Sequence, residues 1–354
     1  MATRAPGPDE LSVAGQRMSD LGEFALIARY FERSQHPLPT QVVLGIGDDC
    51  ALLQPTPGMQ WAISSDMLVS GRHFFADVNP LTLGHKALAV NLSDLAACGA
   101  RPVGFTLALS LPDADPAWLQ GFSQGLFALA DAHNCPLVGG DTTRGPLNIC
   151  ITVFGETPPG QALLRSGARA GDDIWVSGTL GDAALALHCL WGRDQLPAEA
   201  FALARQRLEQ PTPRAALGQA LRGIATAAAD VSDGLLGDLG HILERSHVGA
   251  ELEALYAINL LAARAYLTGA SGTFDPNSQT DSTALRYVLS GGDDYELVFT
   301  AAPEHRLQVQ AAGTHSGTPV TRIGRIVRDP GVTVKAPDGS ALRGPWASFD
   351  HFAT

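Results

Sequence analysis

The sequence has almost no lysine, because Lys86 and Lys335 are the only two in 354 residues. Arginine supplies the other positive side-chain charges, and the formal net charge is −12. No run of basic residues occurs, although a nucleic-acid-binding protein usually presents a basic face. We therefore expect no nucleic-acid partner. A protein this acidic that handles phosphates must reduce charge repulsion locally, and bound divalent cations do so.

Cysteine is also scarce, and its spacing suggests no structural role. The five cysteines are an odd number and form no C-x-x-C motif, so neither a disulfide framework nor a zinc site is expected. The sequence has no secretory leader pattern and no apolar run of about 18 residues. These features predict a cytoplasmic protein with no membrane partner.

Several common catalytic motifs are missing. The sequence contains no G-x-x-x-x-G-K-[ST] phosphate loop, no H-R-D or D-F-G pair and no H-E-x-x-H. Nucleotide binding, if it occurs, must therefore use another architecture.

The length of the chain and its 45% content of apolar residues suit two domains of ordinary size. The segment Pro158-Pro159-Gly160 is the best candidate for a linker. We expect residues 1–18 to be a disordered tail or the product of an upstream start. Residues 19–157 then form an N-terminal domain, and residues 161–354 form a C-terminal domain.

Apolar patterns predict strands at residues 42–46, 61–64, 104–111, 148–155, 173–177 and 297–300. Helices are predicted at residues 118–133, from residue 182 onward, and at residues 81–97 with an interruption at 91–94. These elements do not alternate as regular βαβ units, so the pattern favours two α+β domains over a doubly wound sheet.

Acidic residues recur beside glycine or serine at the predicted ends of apolar strands: Asp48, Asp49, Asp66, Asp94, Asp141, Asp230 and Asp233. Neighbouring carboxylates repel one another, and Mg²⁺ removes that cost because it prefers carboxylate and phosphate oxygens. Each motif taken alone could equally be a turn or a helix cap, and Ser93-Asp94 and Ser232-Asp233 both precede helical patterns. As a set, the motifs favour a metal and phosphate site.

Seven segments resemble the thiamine-monophosphate kinase family, and they occur in order from residue 22 to the C-terminus. They are Gly22-Glu-Phe-Ala-Leu-Ile-Ala, Gly45-Ile-Gly-Asp-Asp-Cys-Ala-Leu-Leu, Lys86-Ala-Leu-Ala-Val-Asn-Leu-Ser-Asp-Leu-Ala-Ala, Gly139-Gly-Asp-Thr-Thr-Arg-Gly-Pro, Asp230-Val-Ser-Asp-Gly-Leu, Ser290-Gly-Gly-Asp-Asp-Tyr-Glu-Leu and Phe349-Asp-His-Phe.

The resemblance implies the fold of the aminoimidazole ribonucleotide synthetase-like superfamily, in which the N-terminal sheets of two subunits pair across a homodimer. It also implies ATP-dependent phosphorylation of thiamine monophosphate to thiamine diphosphate, with several Mg²⁺ ions in a cleft near the domain junction. Transfer would be direct and in line, since no residue is expected to be a covalent nucleophile.

Site residues follow from the resemblance position by position. The implied magnesium positions are Asp49, Ser64, Ser65, Asp66, Asp94, Asp141, Asp230 and Asp233. The implied ATP contacts are Gly140, Asp141, Arg165 and Ser232, and the implied substrate contacts are His73, Asp293 and Phe349. The family commonly has Glu where this chain has Asp293.

Other interpretations of these residues stay open from the sequence. His73 could be a surface residue, Arg165 a solvated loop charge, and Phe349 part of a core. Lys86 and Arg144 are left unassigned. The rival functions are another enzyme of the superfamily, such as aminoimidazole ribonucleotide synthetase or selenophosphate synthetase, and a non-catalytic regulator that binds metal or nucleotide. The N-terminal segment lacks the reactive cysteine that a selenophosphate synthetase needs.

Overall fold

The computed structural model describes residues 22–33, 38–267, 274–344 and 346. The tail predicted at residues 1–18 lies outside these ranges. The described residues of the first half of the chain form nine elements. They are α1 (Glu23–Tyr30), β1 (Val42–Leu44), β2 (Leu52–Leu53), β3 (Gln60–Val69), α2 (Pro80–Ala97), β4 (Arg101–Leu111), α3 (Pro116–Ala132), β5 (Leu137–Arg144) and β6 (Asn148–Thr157).

Strands β3, β6, β4 and β5 form a four-stranded sheet in that order, with β4 and β5 parallel and the other two pairs antiparallel. Helices α2 and α3 pack together, and the first core includes Leu88 of α2 and Phe122 of α3. The two helices approach closely because glycines meet backbone: a Cβ at Gly84 would lie 2.0 Å from the Phe122 carbonyl oxygen, and one at Gly125 would lie 1.8 Å from that of Leu81.

Residues after the Pro158-Pro159-Gly160 segment supply the elements of the second half. They are β7 (Asp173–Ser177), α4 (Asp182–Leu190), α5 (Ala198–Glu209), α6 (Ala215–Ala220), β8 (Ala225–Val231), α7 (Leu235–Ser246), β9 (Gly249–Glu253), α8 (Ala254–Ile258), α9 (Gln279–Ser290), β10 (Glu296–Ala301), α10 (Arg306–His315), β11 (Val320–Val327), β12 (Gly331–Lys335) and β13 (Ala341–Leu342). Short 3₁₀ helices span Ala262–Tyr266 and Pro303–His305.

The second sheet has seven strands in the order β13-β12-β9-β11-β7-β10-β8. Strands β7 and β10 of this sheet are buried along their whole length. They are buried because each face of the sheet is covered by its own hydrophobic core. The second of these cores includes Ala96 of α2 together with Leu217 and Leu221 at α6. The C-terminal end of α2 therefore packs between the two sheets, and residues of α2 also line a cavity there.

The predicted α+β class is confirmed, since mixed helices and sheets form both halves. The strand predicted at 173–177 coincides with β7, but the strand predicted at 61–64 was too short. Asp66 lies inside β3 and Asp141 inside β5, so neither residue is at a strand end. Both strands continue past their apolar residues because cross-strand hydrogen bonding does not depend on side-chain polarity.

The predicted interruption of the helix at residues 91–94 is wrong. Helix α2 runs unbroken from Pro80 to Ala97. The Asn91 amide donates back to the Ala87 carbonyl oxygen at 3.0 Å, and its carbonyl oxygen accepts the Asp66 backbone N–H at 3.0 Å. The Asn91 side chain thus bonds both the preceding turn of α2 and strand β3, and it does not end the helix.

Candidate active site

A cavity of about 810 Å³ lies between the two halves of the molecule. Its walls come from β3, the loop before α2, α2 itself, α4, α9 and the turn that joins α9 to β10. Its lining includes four carboxylates that interact with one another, Asp66, Asp94, Asp230 and Asp233, and also apolar and aromatic side chains such as Phe75 and Trp191. The cavity is therefore suited to a ligand that has both an anionic, metal-bound part and an organic ring.

Asp94 and its neighbour Ser93 lie within the last two turns of α2, so they are not the N-cap that the sequence left open. The Ser64 hydroxyl hydrogen-bonds Asp94. The Ser93 hydroxyl donates to Asp230 at 2.8 Å and so links α2 to the end of β8. These bonds hold carboxylates from the two halves of the chain beside each other.

The capping interpretation also fails for Ser232 and Asp233. Helix α7 begins at Leu235, and its N-cap Gly234 has no side chain to provide a cap. Instead, the Asp238 carboxylate accepts the backbone N–H groups of Ser232 at 3.0 Å and Asp233 at 3.1 Å. The turn is held from inside α7, which leaves the Asp233 carboxylate at the cavity wall.

Burial raises the pKa values of Asp66, Asp94 and Asp230, and repulsion by neighbouring carboxylates raises those of Asp66 and Asp230 further. The pKa of Asp66 rises to about 6, chiefly through burial and then through Asp94 and Asp233. The pKa of Asp230 rises to about 8, chiefly through burial and then through Asp94. Burial also raises the pKa of Asp94, although the Ser64 hydrogen bond and Arg165 oppose this. Four acids held close together against this cost indicate that a cation belongs among them.

The donor set fits Mg²⁺, which takes oxygen ligands and keeps several waters and phosphate oxygens in its shell. Among the described residues, no three His, Cys, Asp or Glu side chains converge as a ready-made metal cage. An all-protein cage is the less usual arrangement for Mg²⁺, since one or two carboxylates per ion plus substrate phosphates normally suffice.

Six of the predicted metal or ATP residues do not line the cavity. Ser64 and Arg165 still interact with Asp94, which leaves Asp49, Ser65, Gly140 and Asp141. Ser65 points to the opposite face of β3 from Ser64, where its hydroxyl lies 2.9 Å from that of Thr152. Asp49 is exposed in the bend after β1, and Gly140 and Asp141 are exposed on β5. The structure therefore does not join these residues to the carboxylate cluster, and their roles stay predictions.

Arg165 lies in the exposed loop before β7. Burial raises the pKa values of Asp94 and Asp238, and the charge of Arg165 opposes this rise. It lines a second cavity of about 500 Å³ with His241, Glu244, Arg245 and His247. Its side chain is thus within electrostatic range of the carboxylate cluster, as a phosphate contact would be.

Two of the three predicted substrate contacts line the main cavity. The His73 Nδ1 atom accepts the Val69 backbone N–H at 2.9 Å, so a neutral His73 ring carries its proton on Nε2. Asp293 adopts a positive φ of 66°, and its backbone N–H donates to the Ser232 carbonyl oxygen at 2.9 Å. Phe349 lies outside the described residues.

The structure also reveals residues that the sequence left unassigned. Lys86 is buried in α2, and its ammonium group donates to Asp293 at 2.7 Å. The sequence feature that could have indicated this role is the position of a lysine within the apolar sequence of α2. Arg144 is exposed and lies 3.6 Å from Asp113, also exposed, which makes it a surface residue.

Comparison with known proteins agrees with this geometry. Residues 47–157 match the family described as AIR synthase related protein, N-terminal domain, and residues 159–337 match the corresponding C-terminal domain. The thiamine-monophosphate kinase of Escherichia coli is 47% identical over 335 residues, which cover 94% of this chain and 99% of that protein. The chain belongs to the thiamine-monophosphate kinase family.

Solved structures of the family show the same fold. The crystal structure of thiamine-monophosphate kinase from Stenotrophomonas maltophilia is 48% identical, with a TM-score of 0.74, and the match covers 85% of this chain and 92% of that one. AaThiL complexed with AMPPCP and TMP is 28% identical, with a TM-score of 0.69, and the match covers 84% and 89% of the two chains. The expected superfamily fold is thus confirmed.

Proposed function

We propose that the chain transfers the γ-phosphoryl group of ATP directly to the phosphate of thiamine monophosphate, giving thiamine diphosphate and ADP. The chain is an ATP-dependent thiamine-phosphate kinase, a phosphotransferase of thiamine diphosphate biosynthesis. The observation that carries the proposal is the cavity between the two halves, which is lined by four carboxylates and by apolar and aromatic side chains. AaThiL has been solved with AMPPCP and TMP together, which supports the same pair of ligands here.

The acceptor oxygen of thiamine monophosphate is already anionic at neutral pH, so the reaction needs no strong general base. The difficulty is to bring two polyanions together beside acidic side chains. Bound Mg²⁺ ions supply charge neutralisation and alignment of the phosphates. We propose that Asp66, Asp94, Asp230 and Asp233 hold these ions where they line the cavity, and that Ser64 orients Asp94.

The roles of the remaining site residues are proposed from the family pattern. Asp49, Ser65 and Asp141 would complete the metal positions, and Gly140, Asp141, Arg165 and Ser232 would contact ATP. His73, Asp293 and Phe349 would contact the substrate. No side chain is assigned as a nucleophile, because the transfer is direct and in line.

We also propose a homodimer formed through the outer face of the four-stranded sheet. Ile63 and Met67 of β3 are 60% and 52% exposed on that face, and Trp61 and Phe154 pack edge to face beside them at 6.4 Å between ring centroids. A contiguous apolar surface of this kind usually marks a protein interface. Light scattering of the wild type should then give the mass of a dimer, and Ile63→Glu should lower this mass to that of a monomer.

Within the described ranges, no helix is long and apolar enough to cross a membrane. The cytoplasmic location remains a proposal, supported by the five cysteines, none of which is in a disulfide.

A chelator titration tests the metal part of the proposal. With saturating ATP and thiamine monophosphate, EDTA should abolish ADP formation, and Mg²⁺ added in excess of the chelator should restore it. Full turnover in EDTA would contradict a carboxylate-held metal site.

A further inference from the structure

Lys86 is the buried cation of the main cavity. Leu83, Lys86, Val90 and Asp94 are spaced by three or four residues along α2 and line the cavity together, so they form one face of the helix. The Lys86 side chain is only 5% exposed. Lys86 and Asp94 are eight residues apart, which places their backbones about 12 Å apart along the helix axis.

The Lys86 ammonium group pairs with Asp293 across the two halves of the molecule, at 2.7 Å. The Asp293 side chain is 32% exposed and faces the same cavity. Its position is fixed by the backbone bond to Ser232 and by the Tyr295 hydroxyl, which donates to the Asp293 carboxylate at 3.3 Å. The ion pair therefore lies inside the proposed substrate site, with Lys86 supplied by the first half of the molecule and Asp293 by the second.

A buried ammonium group is costly without a partner, so Lys86 can leave Asp293 only for another anion. The Asp293 carboxylate, once Lys86 has left it, must likewise contact a cation or water. Thiamine monophosphate offers both charges in one molecule, because a phosphate and a cationic thiazolium ring are joined by a short linker.

We propose that Lys86 binds the phosphate of thiamine monophosphate and that Asp293 faces the cationic ring part. The Lys86–Asp293 pair opens as the substrate enters, and each partner takes the opposite charge of the substrate. Neither Lys86 nor Asp293 is then left without a partner of opposite charge. Since Lys86 and Asp94 share one helix face, the acceptor phosphate lies between the ammonium group and the carboxylate cluster. This inference rests on the proposed function and adds a phosphate-binding residue to it.

Binding of thiamine monophosphate and of thiamine, which lacks the phosphate, tests the inference directly. Isothermal titration calorimetry of the full chain with Mg²⁺ and no ATP gives Kd for both ligands. We expect Lys86→Met, which keeps the length of the side chain, to raise Kd for thiamine monophosphate at least tenfold and Kd for thiamine less than threefold. Lys86→Arg should keep most of the preference for the phosphorylated ligand.

Lys335→Met is the matched control. Lys335 is the other lysine of the chain and pairs at 2.7 Å with Glu251 in the second sheet, away from the cavity. Its replacement should leave both Kd values unchanged. Asp293→Asn should show the complementary pattern and weaken the binding of both ligands, since the ring part is common to them. This second variant tests the inference even if Lys86→Met does not fold.

A purely structural clamp between the two halves would give a different result. Lys86→Met would then weaken both ligands equally and lower Tm, and the double variant Lys86→Met/Asp293→Asn would restore affinity. Either outcome overturns the inference, whereas a double variant that binds thiamine monophosphate no better than Lys86→Met supports it. Failure of the wild-type protein to consume ATP with thiamine monophosphate would instead count against the proposed function.

Discussion

Asp230→Asn should make the metal-free protein more stable at pH 8 than the wild type. The Asp230 carboxyl is fully buried, and its pKa is raised from 3.8 to about 8 by burial and then by Asp94. An acid whose pKa is higher in the folded state stabilises the fold when protonated, and this contribution is lost as pH rises through the folded pKa. Asparagine is neutral throughout, and its carbonyl oxygen can still accept the Ser93 hydrogen bond.

The size of the effect follows from the two pKa values. Raising the pH from 6 to 8 takes Asp230 from nearly full to half protonation in the folded state, which costs about 2 kcal/mol of folding free energy by linkage. For a protein of 354 residues, that corresponds to roughly 3 °C in Tm. In EDTA, the amount by which the Tm of Asp230→Asn exceeds that of the wild type should therefore grow by roughly 3 °C between pH 6 and pH 8.

Differential scanning fluorimetry across this pH range, with and without Mg²⁺, is the assay. Mg²⁺ at pH 8 should raise Tm of the wild type more than that of Asp230→Asn, because the ion offsets the repulsion that the substitution removes. Asp338→Asn, in an exposed turn, is the control and should follow the wild type. Equal pH dependence of Tm in the wild type and Asp230→Asn would refute the account of a strained carboxylate cluster.

Three further outcomes follow from the site. Asp94→Asn should lower kcat by at least a hundredfold with little loss of Tm, because the Ser64 hydrogen bond can persist; near-normal turnover would remove Asp94 from the metal site. Incubation with γ-labelled ATP alone should leave no label on the protein, since transfer is direct, and a stable phosphoprotein would contradict this. Asp293→Ala should raise KM for thiamine monophosphate well above its effect on KM for ATP, whereas equal increases would place Asp293 outside the substrate site.

Features that depend on neighbouring residues in the sequence could be predicted from it. The strand at β7 and the acidic residues of the cavity were predictable because apolar runs and Asp-Gly or Ser-Asp pairs are local signals. The unbroken course of α2 was not, since it depends on Asn91 and Ser93 meeting β3 and β8, which are distant in the sequence. Periodicity alone cannot show such partners.

The same limit applies to side-chain grouping within the site. Ser64 and Ser65 are adjacent, yet the pleat of β3 sends them to opposite faces, so only Ser64 contacts the carboxylate cluster. Asp238 was missed because its role lies in two hydrogen bonds to the turn before its own helix. Lys86 was passed over because its partner Asp293 is 207 residues away. Long-range pairing of charges is a property of the fold and leaves little trace in a single sequence.

The most direct test of the central claim is a coupled assay that follows ADP formation and analyses the product. With ATP and Mg²⁺ fixed and the phosphate acceptor as the sole variable, ADP should form only with thiamine monophosphate, and one thiamine diphosphate should appear for each ADP. Neither selenide nor formylglycinamidine ribonucleotide, the substrates of the rival enzymes, should support turnover. ATP consumption that ignores thiamine monophosphate, or that depends on one of those substrates, would contradict the assignment.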